Sequence, residues 1–79
     1  MMIDPSKYTI TVRKGLFDGE ECFEARVAEL PDVAEYADSF DEAYTLALDT
    51  IEMTAVIFEQ QGKVMPLPFV PSDEYSGRV

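Results

Sequence analysis

The chain has no histidine, no tryptophan, one cysteine and only six basic residues among its 79 positions. Each shortage removes a class of function. Without histidine there is no Ser-His-Asp triad and no Cys-His nucleophile pair, and most zinc sites are excluded. Cys22 stands alone, so no intrachain disulfide can hold the fold. Beside the strand residue Phe23 it reads as a small, partly buried side chain rather than a nucleophile. The basic residues are too few and too scattered for a nucleic-acid face. No Gly-rich phosphate loop is present. No apolar run approaches the roughly 20 residues needed to span a bilayer. The N-terminus Met1-Met-Ile-Asp-Pro-Ser-Lys lacks the charged-then-apolar order of a signal peptide. The expectation is a cytoplasmic protein that makes no contact with membrane.

What the chain has instead is acid. Its formal net charge is −10. The segment Asp18 to Glu42 holds ten acidic residues and a single basic one, Arg26. Such a segment repels phosphate, so direct nucleic-acid binding is disfavoured. A basic protein partner is favoured, because a field of one sign steers its opposite. The plainer reading is that the acids solvate the outside of a small sheet.

Residue patterns define the elements. Tyr8, Ile10 and Val12 alternate with Thr9, Thr11 and Arg13, the two-residue period of a half-buried strand. Asp18-Gly19 signals a hairpin turn. A second strand is expected from about Glu21 to Glu29, with Phe23, Ala25 and Val27 on one face. Pro31 has no N–H and is expected to stop that ladder. A shorter third strand, Val33 to Ala37, places Val33, Glu35 and Ala37 on one face and Ala34 and Tyr36 on the other. Ser39 precedes Glu42 by three residues, a capping box. The helix is expected from about Phe40 to Gln61, ended by Gly62. Phe40, Tyr44, Ala47, Ile51, Ala55 and Phe58 make its core stripe, flanked by Ala43 and Leu48. Val64 and Met65 read as a fourth strand before Pro66-Leu-Pro68. The fold class is therefore α+β in the order β-β-β-α-β, an antiparallel sheet on one helix. The domain is expected to cover residues 1–68, with 69–79 as a linker or tail.

Two further features bear on function. Leu46, Met53 and Ile57 cluster away from the core stripe by about 120° at 100° per residue. A chain of this length buries only about 60–65% of its unfolded surface, so a homodimer or higher homo-oligomer through these three residues is expected. The alternative is that the final strand or tail folds over them. Glu24, Asp38 and Asp41 are the best candidates for a Mg²⁺ site. The first strand contributes no acid, however, and no cluster at the centre of a sheet is expected. Catalytic residues, metals and cofactors are accordingly not expected.

Several segments together resemble the HicB-like antitoxin family. They are Tyr8-Thr-Ile-Thr-Val, Phe23-Glu-Ala-Arg-Val-Ala-Glu-Leu-Pro-Asp-Val, Ala37-Asp-Ser-Phe-Asp-Glu-Ala and Gly62-Lys-Val-Met-Pro-Leu-Pro, covering about residues 8–68. The family pattern has Gly where Asp32 and Ala37 stand, and Thr in place of Ser39. The resemblance implies a partial, degenerate RNase H-like fold without nuclease acids. It implies an antitoxin that neutralises a small basic HicA-type toxin acting on mRNA. Repression of the operon in that family uses a C-terminal DNA-binding domain, and Tyr75-Ser-Gly-Arg-Val is similar to its start. Toxin contact is expected at Glu21, Glu24, Glu29, Asp32 and Glu35. Two other readings remain at this point: a stand-alone oligomeric interaction domain, and a residual metal-dependent nuclease acting through Asp38.

Overall fold

Asp18 and Gly19 set the geometry of the sheet. Both have positive φ, 55° and 81°, the requirement of a two-residue turn whose twist matches that of its strands. The turn joins β1 (Ile10–Phe17) to β2 (Glu20–Val27). The two pair antiparallel from Ile10↔Val27 to Phe17↔Glu20. β3 (Leu30–Ala37) pairs antiparallel with β2, and α1 (Phe40–Gln60) follows. The sheet order is β1-β2-β3. The computed structural model describes residues 3–69, a three-stranded antiparallel sheet covered on one face by one helix.

Three expectations change. β1 continues past Arg13 through Lys14, Gly15 and Leu16 to Phe17. Pro31 does not stop the sheet. It lies inside β3, in a stretch where Arg26 pairs with Ala34 but Val27 pairs with Leu30. Pro31, Asp32 and Val33 thus fall in a bulge on an edge strand, where a missing N–H breaks no ladder bond. Third, Val64 and Met65 pair with no strand; residues 63–69 belong to no regular element. Of the expected tail, all but Phe69 lies outside the described residues.

Helix α1 begins and ends as its sequence signals. Ser39 is the N-cap, and the Glu42 N–H donates to its Oγ at 3.1 Å, one arm of the capping box. At the other end Gly62 has φ 70°. There the Lys63 N–H donates to Phe58 O at 2.8 Å and the Gly62 N–H to Glu59 O at 3.1 Å. These are the two bonds of a Schellman motif, which satisfies carbonyls the helix leaves open.

The core lies between the sheet and α1. Ala25, Val27 and Leu30 from the sheet meet Ala43, Ala47 and Ile51 from α1. Tyr8 and Met65 complete this cluster. The helix residues facing the sheet are mostly alanine, so the helix packs close. Phe40, assigned to the stripe by its spacing, is 52% exposed, whereas Ala43 in the same first turn is fully buried. Tyr44, Leu48, Ala55 and Phe58 are half-buried at the margin.

Candidate functional site: two classes of carboxylate

Glu24 and Glu29 were expected to face a partner; they face the protein. Both are 5% exposed. Glu24 lies on the face of the sheet away from α1, where Arg13 of β1 and Tyr36 of β3 flank it. Arg13 Nε donates to Glu24 Oε1 at 3.0 Å, and the Tyr36 hydroxyl donates to Oε2 at 3.1 Å. Arg26 Nη1 stands 3.6 Å from the same oxygen. The Arg13 bond, aided by Tyr36, outweighs desolvation and holds the Glu24 carboxyl below the usual range. The same bond to Glu24 raises the Tyr36 hydroxyl above its ordinary value.

The register makes this cluster. Arg13 is directly opposite Glu24, and Glu24 opposite Tyr36, so three strands supply three partners along one line. Phe17 completes the outer face. Its ring lies 5.3 Å from that of Tyr36, tilted by 59°, and 5.4 Å beneath the Arg13 guanidinium. Gly15 makes room for it, since a Cβ there would sit 3.2 Å from the Phe17 ring. Cys22, opposite Gly15, lies beside the ring pair in an open hollow with Leu16, Asp18 and Glu20. Desolvation, then the surrounding acids, raises its thiol, so it is protonated and a poor nucleophile at neutral pH.

Glu29 acts at the opposite end. It sits in the turn between β2 and β3, and its carboxylate accepts from the Thr9 N–H at 3.0 Å, the Thr9 hydroxyl at 3.0 Å and the Phe69 N–H at 2.7 Å. Desolvation pushes its carboxyl up, but the N–H donors of Phe69 and Thr9 more than offset this, and it ends below its usual value. The Tyr8 hydroxyl donates to Pro66 O at 2.6 Å. Glu29 and Tyr8 therefore clamp residues 63–69 to the start of the sheet without any strand pairing. Burial, followed by the charge of Glu29, raises the Tyr8 hydroxyl. No motif in the sequence identifies this clamp; the only hint was an acid placed directly before Leu30-Pro31.

The other candidate acids divide. Glu35 is half-buried on the helix side of β3 and accepts from the Thr50 hydroxyl at 2.6 Å. Glu21 and Asp32 face water. Glu21 has only Lys14, at 3.8 Å, with both side chains more than half exposed, a pair worth little. Asp18, Glu20, Asp38, Asp41, Glu42, Asp49 and Glu52 are also exposed. Among the described residues no three of Cys, Asp or Glu converge as a metal site would require, and no helix is long and apolar enough to cross a membrane. The sequence places Leu46, Met53 and Ile57 on one line of α1. All three are exposed, at 36%, 63% and 44%, and nothing between residues 3 and 69 folds over them.

Comparison of the chain with family models, with curated proteins and with solved structures finds no match.

Proposed function

We propose that this chain is a non-catalytic binding module of the HicB antitoxin type, which neutralises a small basic, mRNA-targeting toxin of the HicA type. The observation that supports it is the placing of the negative charge. Three acids of the Asp18–Glu42 segment are engaged within the fold. The remaining acids of that segment, with Asp49 and Glu52, are turned to water, and among the described residues the one cation beside them, Lys14, stands 3.8 Å from Glu21 in a pair that is more than half exposed. A surface of that kind attracts and orients a cationic protein over distances near the Debye length, about 8–10 Å at physiological salt. The motif order resembling the family supports the identity of the partner. Since Glu24 and Glu29 are engaged within the fold, this reading puts contact with the toxin at Glu21, Asp32 and the exposed acids around them.

The test is RNA cleavage by the small basic protein encoded beside this gene, with and without an equimolar amount of the chain. Cleavage is expected to stop, and inhibition to weaken as salt rises. Persistent cleavage by an active toxin sinks the reading. Charge reversal belongs at Glu21 and Asp32, since reversal at Glu24 or Glu29 would unfold the domain and mimic a loss of binding.

A further inference from the structure

The exposed row on α1 has an asymmetric setting. Leu46, Met53 and Ile57, with Asp49, Thr50 and Thr54, line a shallow groove of about 390 Å³. On one side the groove meets the sheet, where Thr50 is bonded to Glu35. On the other side it meets acid. Glu42 stands one turn before Leu46 and Asp49 one turn before Met53, with Glu52 beyond. Between Phe40 and Gln60 the helix carries no basic residue at all. From Leu46 to Ile57 the row rises about 17 Å along the helix.

We propose that this groove docks a cationic amphipathic segment of a partner protein, about three helical turns long. Its apolar side chains rest on Leu46, Met53 and Ile57, and its lysines or arginines face Glu42, Asp49 and Glu52. Charge complementarity selects this occupant. A second copy is the competing one, but packing α1 on α1 would set Asp49 and Glu52 of two chains against each other across a narrow apolar strip. Each of those chains has a net charge of −10, and like charges across an interface oppose association. A basic amphipathic segment meets the same strip with opposite charge at its rim, the helix-in-groove mode of recognition. The inference rests on the binding-module reading but not on the identity of the toxin.

The experiment uses the full chain, isotope-labelled for NMR, and a synthetic leucine–lysine amphipathic peptide about four turns long. A matched peptide carries glutamate in place of lysine. Amide shifts are expected to concentrate at 46–57. Met53→Asp and Asp49→Lys should each weaken binding about tenfold, the scale of losing one interface anchor. Glu20→Lys, the same charge change beside the hairpin turn, should weaken it about twofold at most, as for a rim charge. Met53 is 63% exposed, so its variant should keep the wild-type spectrum, and Asp49→Lys gives a second arm on the polar side. Equal weakening by Glu20→Lys, shifts centred on Arg13 and Arg26, binding of the glutamate peptide, or a concentration-dependent dimer abolished by Met53→Asp would each overturn the proposal. Toxin inhibition by a chain that does not bind the lysine peptide would remove the groove and leave the antitoxin reading. Peptide docking without toxin inhibition would do the reverse.

Discussion

Glu21 and Glu24 lie three residues apart on β2, carry the same charge and differ completely in what they do. Glu24 sits under Arg13, Arg26 and Tyr36 and is almost fully enclosed. Glu21 is out at the hairpin, with a distant lysine beside it. Glu29 and Asp32 repeat the contrast across the turn into β3: the first clamps two chain segments, the second faces water. The carboxylates therefore form two populations. One holds the domain together through directed, charge-assisted hydrogen bonds. The other leaves an unbalanced negative surface free to act on something else. Position in the sheet register, not residue type, separates them.

Breaking the clamp should have the largest effect. Glu29→Ala leaves the Thr9 and Phe69 N–H groups without their acceptor and should cost about 2–4 kcal/mol, because several bonds to one charged group are lost at once. Urea denaturation measures the loss. Proteolysis near residue 69, faster in the variant than in the parent, would tie that loss to release of residues 63–69. A cost below about 0.5 kcal/mol would mean that Met65 and the Tyr8–Pro66 bond hold the segment by themselves.

A second effect separates the populations by pH. The folded-state carboxyls of Glu24 and Glu29 are lowered. Their contribution is complete above the unfolded-chain value, near 4.3. It disappears as pH falls through the lowered folded values. The melting temperature should therefore drop as pH is taken from about 5 towards 3, and the drop should be shallower in Glu29→Gln. An unchanged slope in that variant would show that acid acts on the domain through other carboxylates.

The smallest effects sharpen the contrast along β2. Glu21→Gln should change stability by less than about 0.5 kcal/mol. Glu24→Gln should lower the melting temperature, because it leaves two arginines over a neutral side chain. Equal changes in the two variants, measured by thermal denaturation at one salt concentration, would erase the distinction between them.

Local chemistry made most of the fold legible. Asp18-Gly19, Ser39 and Gly62 act through their own backbone neighbours, and the alternation read along 8–13, 23–28 and 33–37 assigned those side chains to their faces. The errors came where long-range geometry overrode local rules. Pro31 was tolerated because β3 is an edge strand with a bulge. Val64 and Met65 pair with no strand, and the chain beyond them is held instead by side chains distant in sequence, Tyr8 at Pro66 O and Glu29 at the Phe69 N–H. Phe40 has the helical spacing of the stripe but is more than half exposed.

The candidate site divides in the same way. Sequence alone determined the excess of acid, the absence of histidine chemistry and the second apolar line on α1, because composition and helical period need no partner to be read. Only the tertiary structure decided which acids remain available. Whether a carboxylate is enclosed depends on which residues stand opposite it across the strands, and Arg13 meets Glu24, or Thr9 meets Glu29, only after the chain has folded back on itself.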